Sequence, residues 1–294
     1  MNAPIIGIFG EVLFDHFPDG SRVLGGAPFN VAWHLQAFGQ QPLFISRVGQ
    51  DAEGEEVRRL MRDWGMDSRA LQSDDQRPTG KVDIQFVDGE PHYDIQRDCA
   101  YDAIDPDSAP GHLDFLYHGS LAVRDQHSAG ALASIMADRP GTVFVDVNLR
   151  PPWWRIEAIR DMLQAADWVK LNQDELSRIY DGALPDDDLA GRCVGEFGLQ
   201  GLILTRGAAG ATVDTADRRH VSISPRASTS VVDTVGAGDA FASVMILGLV
   251  NGWDLQTTLQ RAQEFASTTV GHRGALIHER RIYAEFLQSW GLEH

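Results

Sequence analysis

A glycine turn that precedes an acidic residue has the clearest chemical potential in this sequence. Gly236, Ala237 and Gly238 come directly before Asp239, and the apolar residues that follow recur at helical spacing. The first N–H groups of a helix have no intrahelical partners, and the helix dipole is positive at that end. Glycine also lets the backbone approach an anion closely. The turn therefore predicts a phosphate site at the start of a helix.

Asp239 lies where bound phosphate would repel a carboxylate, so its presence needs a reason. One interpretation is that Asp239 orients an acceptor hydroxyl and takes its proton while the turn holds a phosphoryl group. The other is that Asp239 simply caps a buried helix, a position that Asp favours. These four residues alone leave both interpretations open.

The segments around the turn predict the elements that must position it. Short apolar runs such as residues 5–9 and 42–49 alternate with runs of helical period, an order typical of a parallel sheet with helices on both faces. Residues 78–95 differ, because two alternating runs flank Asp88-Gly89 and predict an antiparallel hairpin. Before the turn, the β-branched residues 229–232 predict a strand or an extended approach.

The composition disfavours several classes of protein. A formal charge of −17 over 294 residues argues against nucleic acid or an anionic membrane as a partner. Residues 5–9 are too short for the apolar core of a signal peptide, and no apolar run is long enough to span a bilayer. Cys99 and Cys193 are the two cysteines, which favours a reducing compartment. We therefore expect a soluble, cytoplasmic protein.

The longer stretch 233–241, Asp233-Thr234-Val235-Gly236-Ala237-Gly238-Asp239-Ala240-Phe241, resembles the C-terminal signature of the ribokinase-like (PfkB) carbohydrate kinases. Further matches span nearly the whole chain and are most similar to bacterial fructokinases. The resemblance implies a ribokinase-like three-layer α/β/α fold with a mainly parallel central sheet and a small β-sheet lid. It also implies a single kinase domain over residues 1–294, with lid segments near 12–24 and 79–100.

The resemblance assigns a sugar site to several positions. Carboxylate and amide groups bind vicinal hydroxyls, and bare glycine backbone lets a sugar lie close, so the residue types suit this role. From the residues alone, a loop Asp, a polar helix residue and a surface Arg are equally good interpretations of three of them. The substrate-binding residues implied are Asp15, Gly25, Gly26, Asn30, Arg97, Asn148 and Arg150.

A nucleotide and its metal ions are implied in the same way. Glu175 would face Mg²⁺ through water, although its spacing from Asn172 also fits a helix capping box. Asp233 and Val235 match a monovalent-cation (K⁺) site of some relatives, but His272 and His278 depart from the family pattern beside it. The positions assigned to ATP are Lys170, Asn172, Thr205, Gly207 and Gly238.

The leading hypothesis is thus an ATP-dependent sugar kinase that converts fructose to fructose 6-phosphate, with Asp239 as base and Gly236, Ala237 and Gly238 holding the phosphoryl group. Ribose, 2-keto-3-deoxygluconate and nucleosides stay open as substrates. A non-catalytic sugar- or nucleotide-binding protein is a second hypothesis. A dinucleotide-dependent oxidoreductase is a third, and it lacks the Gly-x-G-x-x-Gly fingerprint. We also expect a homodimer, because relatives often pair through their lid sheets.

Overall fold

The computed structural model describes residues 3–87, 90–106, 111–180, 186–225 and 231–292. Its strands are β1 (Ile6–Phe9), β2 (Leu13–His16), β3 (Arg22–Gly25), β4 (Leu43–Gly49), β5 (Leu71–Asp74), β6 (Gly80–Val87), β7 (Glu90–Ile95), β8 (Phe115–His118), β9 (Thr142–Asp146), β10 (Trp168–Asn172), β11 (Gly201–Thr205), β12 (Ala211–Thr215) and β13 (His220–Ile223). Its helices are α1 (Ala27–Ala37), α2 (Ala52–Trp64), α3 (Gln126–Ala137), α4 (Ile156–Gln164), α5 (Gln173–Tyr180), α6 (Asp186–Phe197), α7 (Ala237–Val250), α8 (Leu255–Thr269) and α9 (Arg280–Trp290). Within these ranges no helix has the length and apolar character needed to cross a membrane.

The chain divides into two compact units. The N-terminal unit contains residues 5–113, 122–139 and 276–292. The C-terminal unit contains residues 3–4, 114–121 and 140–275. The single domain over residues 1–294 stays a prediction.

The C-terminal unit is built on a mainly parallel run of strands. β8, β9, β10 and β11 are parallel neighbours in that order, and β12 and β13 continue the sheet antiparallel. The middle of β9 is fully apolar and buried, as expected for a parallel strand with both faces covered. Its last residue, Asp146, pairs in register with Lys170 of β10. Polar groups therefore gather at the carboxyl ends of these strands, where α/β sheets bind ligands.

Helix α7 anchors the glycine turn in the core of this unit. Residues 240–248 of α7 are all buried. α8 packs against it closely, because a Cβ on Gly248 would lie only 2.3 Å from the Thr258 side chain. The strand expected before the turn is absent from the described part of that segment. Val232 N and Asp233 N both donate to Val270 O there, which makes a bend.

The N-terminal unit contains two groups of strands. β1, β4 and β5 are parallel neighbours. A separate four-stranded sheet has the order β3-β2-β6-β7, in which only the β2–β6 pair is parallel. The alternating pattern predicted the β6–β7 hairpin, and the family resemblance implied the small second sheet that contains it. The predicted turn at Asp88-Gly89 lies outside the described residues.

Both ends of the β6–β7 hairpin are tied down by carboxylates. At its start, Thr79 donates to Asp51 through its hydroxyl and its backbone N–H, each at 2.7 Å. Asp51 also caps α2 by accepting a hydrogen bond from Gly54 N at 2.8 Å. At its end, Arg124 donates to both oxygens of Asp102 at 2.8 Å, and these two side chains are each 5% exposed. These bonds fix the start of β6 and the segment after β7, and the pairing of β6 with β2 also holds the hairpin in its unit.

Candidate active site

The turn and its helix have the geometry predicted for an anion site. Gly236 is the N-cap of α7 in the left-handed conformation, with φ 78°. Its carbonyl accepts the first helical hydrogen bond, from Ala240 N at 2.8 Å. Asp239 is the third residue of the helix and half-buried, so the interpretation of Asp239 as the N-cap is wrong. The carboxylate thus belongs to the first turn of the helix, beside N–H groups that have no helical acceptor.

The two glycines of the turn have different roles. A Cβ on Gly236 would lie 2.3 Å from the Cβ of Ala275, so both packing and backbone conformation require glycine there. Gly238 is exposed, and a Cβ on it would meet only the Lys170 Nζ atom, at 3.5 Å. Packing would therefore allow a larger residue at position 238. Its glycine keeps the space above the helix end open to a ligand.

Asp233 holds the loop on either side of the turn. Its Oδ1 atom accepts a hydrogen bond from Val235 N at 3.0 Å, and its Oδ2 atom accepts one from Gly274 N at 3.0 Å. These two bonds give the carboxylate a structural role that needs no cation. K⁺ binding at Asp233 and Val235 stays a prediction.

Lys170 and Asp146 form a buried ion pair next to the turn. The Lys170 Nζ atom lies 2.9 and 2.8 Å from the two Asp146 carboxylate oxygens, and the side chains are 8% and 3% exposed. Burial favours the neutral amine, but the Asp146 carboxylate outweighs it and raises the pKa of Lys170 above its ordinary value. The charges of Glu175 and Asp239 act in the same direction. Lys170 is therefore a fixed cation beside the N-terminus of α7.

Glu175 and Asn172 make the capping box that their spacing allowed. Asn172 Oδ1 accepts a hydrogen bond from Glu175 N at 2.9 Å, and Glu175 Oε2 accepts one from Asn172 N at 2.8 Å. The other carboxylate oxygen of Glu175 accepts from Leu149 N at 2.9 Å. Burial raises the pKa of Glu175, and the charge of Asp146 adds to the effect, while the Asn172 N–H and Lys170 oppose it. The carboxylate thus joins two strand ends, and each oxygen keeps a lone pair for water.

The loop held by Glu175 carries the two candidate sugar residues of this unit. Asn148 has φ 44°, a left-handed conformation that is rare for a residue with a side chain. Its carbonyl accepts a hydrogen bond from the Ser120 hydroxyl at 3.2 Å. Arg150 is exposed, and its carbonyl accepts from Trp153 N at 2.8 Å. Strained backbone of this kind is concentrated at functional sites.

The remaining nucleotide candidates lie at the next strand ends. Thr205 is the register partner of Asn172 at the carboxyl end of β11. Its hydroxyl points back to Leu171 O at 3.4 Å. Gly207 follows in an exposed turn with φ 52°. The structure therefore gathers these candidates at one edge of the C-terminal unit.

The N-terminal unit brings four of the sugar candidates together. A Cβ on Gly25 would lie 4.0 Å from an oxygen of Asp15, which shows that the carboxylate faces the glycine backbone. Gly26 is the N-cap of α1 with φ 108°, and its carbonyl accepts from Asn30 N at 2.9 Å. Asn30 is 4% exposed. Arg97 is exposed just beyond β7.

Asp146 is the functional candidate that sequence reasoning missed. It ends an apolar strand directly before the stretch 147–150, and a single acidic residue at a strand end carries little signal by itself. Its partner Lys170 is 24 residues away in sequence. Only the register of β9 and β10 shows that the two side chains meet.

A helix start with free N–H groups, a carboxylate and a fixed cation beside it is suited to phosphoryl transfer, and the α/β fold is one that positions such groups at strand ends. The protein is a phosphotransferase of this class. Residues 8–280 match the family of pfkB family carbohydrate kinases, so the chain belongs to that family and its acceptor is a sugar.

Similar proteins agree with this assignment. A fructokinase of Salmonella typhimurium is 30% identical, over 97% of this chain and 100% of the relative. A crystal structure of aminoimidazole riboside kinase from Salmonella enterica, complexed with aminoimidazole riboside and an ATP analog, has a TM-score of 0.82 and 25% identity, covering 96% and 99% of the two chains. A fructokinase from Vibrio cholerae O395 with fructose, ADP and calcium bound has a TM-score of 0.81 at 24% identity, over 97% and 99%. The predicted ribokinase-like fold is confirmed.

Proposed function

We propose that this chain is a fructokinase that transfers the γ-phosphoryl group of ATP to the 6-hydroxyl of fructose. The observation that carries the proposal is the open Gly238 at the start of α7, with Asp239 on the same helical turn. The fructokinase of Salmonella typhimurium, similar over the whole chain, supports the choice of sugar. Fructose 6-phosphate and ADP are the products.

The reaction uses Asp239 as base and the turn as the anion cradle. Asp239 takes the proton of the sugar hydroxyl as the oxygen of that hydroxyl attacks the γ-phosphorus. The new O–P bond forms while the bond from phosphorus to the β–γ bridging oxygen breaks, and that electron pair leaves with ADP. The N–H groups of Gly236, Ala237 and Gly238 stabilise the charge on the transferring oxygens.

The substrates are bound by the remaining candidates. In the N-terminal unit, Asp15, Asn30 and Arg97 are assigned to sugar hydroxyls, with bare backbone at Gly25 and Gly26. In the C-terminal unit, Asn148 and Arg150 are assigned to the sugar as well. Asn172, Thr205 and Gly207 line the nucleotide at the ends of β10 and β11.

Mg²⁺ fits Glu175 only through water. Both Glu175 oxygens accept backbone hydrogen bonds, and the residue is 7% exposed. Within the described ranges, no group of three or more His, Cys, Asp or Glu side chains forms a metal site. When bound, the metal neutralises phosphate charge. K⁺ dependence is tested by comparing turnover in potassium and sodium salts.

The first experiment measures ADP release from Mg-ATP with a panel of acceptors: fructose, ribose, 2-keto-3-deoxygluconate, tagatose, adenosine and aminoimidazole riboside. The last is included because a kinase for it is among the similar structures. We expect fructose to give the highest kcat/KM. An Asp239→Asn variant keeps the shape of the side chain but cannot take the proton, and should lose at least about 100-fold in kcat.

Each other outcome contradicts a stated part of the proposal. A faster acceptor than fructose would replace the sugar and keep the kinase. Stabilisation by ligands without ADP formation would favour a non-catalytic binding protein. Full turnover in the Asp239→Asn variant would show that another group is the base.

We further propose that the protein is a cytoplasmic homodimer. Cys99 and Cys193 are both buried free thiols, which suits a reducing compartment. The four-stranded sheet exposes Val23, Phe86 and Tyr93 at 38%, 57% and 58%. The strand registers place these three side chains on the same face of the sheet. Exposed apolar side chains on one face favour pairing with a second copy.

A further inference from the structure

The Lys170–Asp146 pair is a buried ion pair of the C-terminal unit, and Lys170 reaches the turn at Gly238. It belongs to neighbouring parallel strands, in register, at their carboxyl ends. The Asp146 end is the deeper one, with 3% exposure against 8% for Lys170. The ammonium end is the one near α7, 3.5 Å from the Cβ position of Gly238. The positive end of the pair therefore faces the anion site.

The hydrogen bonds of the ammonium are only partly used. An ammonium has three N–H donors. Two of them meet the Asp146 oxygens at 2.9 and 2.8 Å. Asp146 has a further weak donor, the Tyr117 hydroxyl at 3.4 Å, so its own position is fixed from a second strand. Among the described residues the third N–H of Lys170 has no acceptor, and it is the donor available to a ligand at Gly238.

Burying such a pair needs a reason other than stability. A buried ion pair costs desolvation that its attraction often fails to recover, and apolar residues of similar size would serve the core as well. A lysine is a point charge suited to phosphate, and it must keep its proton to serve. Asp146 ensures this, because it raises the pKa of Lys170.

We propose that Lys170 donates a hydrogen bond to the phosphoryl group during transfer, and that Asp146 is a positioning residue that acts through Lys170. The proposal rests on the proposed kinase function and adds to it a group for the transition state. Lys170 keeps its proton throughout, since the proton lost by the sugar goes to Asp239. The Lys170 ammonium and the N–H groups of the turn then both stabilise the charge that develops on the transferring oxygens.

The test compares Lys170→Met, Asp146→Asn and the double variant with wild type. A single change leaves one charge buried and unpaired, so the double variant, which has neither charge, is the one expected to fold best. The control is Arg160→Met with Glu196→Gln, which neutralises an exposed pair of the same unit. Three quantities are measured: kcat and KM for fructose, the thermal shift with ADP, and the affinity for ADP with fructose and aluminium fluoride, a mimic of the transferring group.

We expect Lys170→Met and the double variant to lose about 100- to 1,000-fold in kcat, the effect of removing one donor to a transition-state anion. KM for fructose and the ADP shift should change little, while the extra affinity given by aluminium fluoride disappears. As a single change, Asp146→Asn should reduce kcat. In the Lys170→Met background it should cause no further loss, because Asp146 acts through Lys170. The control pair should match wild type.

Turnover of the double variant within about 3-fold of wild type would overturn the inference and make the pair structural. An equal loss of affinity for ADP and of the extra affinity given by aluminium fluoride would also overturn the inference. The pair would then contribute as much to binding in the ground state as in the transition state. Additive losses from the two single changes would remove Asp146 from its positioning role. If wild type phosphorylates no acceptor, the proposed function itself fails and the inference falls with it.

Discussion

At the scale of single residues, the turn separates what the fold needs from what the reaction needs. Gly236 has φ 78° and no room for a Cβ beside Ala275, so folding requires it. Gly238 is a helical position with an open surface, where alanine would ordinarily improve a helix. Neither packing nor backbone conformation requires glycine at this second position, which agrees with the proposed role of Gly238 in phosphate binding.

Gly238→Ala and Gly236→Ala should thus have opposite signatures. Gly238→Ala should leave the melting temperature unchanged or raise the free energy of unfolding by about 0.5 kcal/mol, from helix propensity. It should still lower kcat/KM for ATP at least about 10-fold, because the methyl group occupies the phosphate side of the turn. Gly236→Ala should destabilise the protein by about 1–3 kcal/mol through strain. Thermal unfolding and ATP kinetics on both variants check this, and normal activity in Gly238→Ala would contradict the anion site.

At the scale of elements, the four-stranded sheet depends on a few carboxylates at its borders. Asp51 joins the start of β6 to the start of α2, since it accepts from Thr79 and Gly54 together. Asp102 and Arg124 hold the segment that follows β7, and that segment leaves the sheet beside the start of β6 because Val82 pairs with Ile95. Arg22 of β3 also pairs with Glu53 of α2 at 3.1 Å, so the sheet is tied to α2 through both β3 and β6.

Asp51→Asn should cost about 1–3 kcal/mol of unfolding free energy at pH 7, because an amide cannot accept all three hydrogen bonds. Burial disfavours the Asp51 charge, but the hydrogen bonds from Thr79 outweigh it and lower the pKa of Asp51 below its ordinary value. A lowered folded pKa gives stability that is complete above the unfolded pKa and is lost as the pH falls through the folded one. The gap between wild type and variant should therefore be constant above about pH 5 and narrow towards pH 3.

Urea unfolding at several pH values measures this gap. Asp63→Asn is the matched control, since Asp63 lies on the same helix, is 65% exposed and, in the described part of the chain, pairs with Arg59 alone. It should change stability by less than about 0.5 kcal/mol. A gap for Asp51→Asn that widens in acid would show that its carboxylate is not held ionised by Thr79.

At the scale of the whole molecule, assembly must overcome the charge of the chain. Each copy carries a formal charge of −17, so two copies repel each other at low salt. The apolar face at Phe86 and Tyr93 is what would favour pairing. Phe86→Asp should therefore shift sedimentation towards monomer. Gln85→Asp adds the same charge at the neighbouring position on the opposite face and should not.

Salt supplies a second check on assembly. Raising ionic strength screens the repulsion, so the dimer of the unaltered protein should strengthen as salt increases. A protein that sediments as a monomer at all salt concentrations would end the dimer proposal. A dimer unaffected by Phe86→Asp would place the contact on another surface.

Local features of this protein were predictable from its sequence, and contacts between distant segments were not. The turn at Gly236, the helix after it and the β6–β7 pairing follow from patterns within about twenty residues. The contact of Lys170 with Asp146 depends on strand register, which no single strand encodes. The β-branched residues before the turn predicted a strand or an extended approach, and residues 231 and 232 form no strand, because Val270 O accepts the N–H groups of Val232 and Asp233. Asn172 and Glu175 were ambiguous for another reason, since a capping box and a ligand site share one spacing.

The burial of α7 has a consequence for how the enzyme would respond to heat. Nine consecutive residues, 240–248, are packed in the core of the C-terminal unit directly behind the turn. Amide hydrogens in such a helix exchange with solvent only when the core opens. The proposed phosphate site is therefore the exposed end of a segment whose amide hydrogens should exchange slowly. Its shape should persist until that unit unfolds, so loss of activity on heating should coincide with amide exchange in α7 and not precede it.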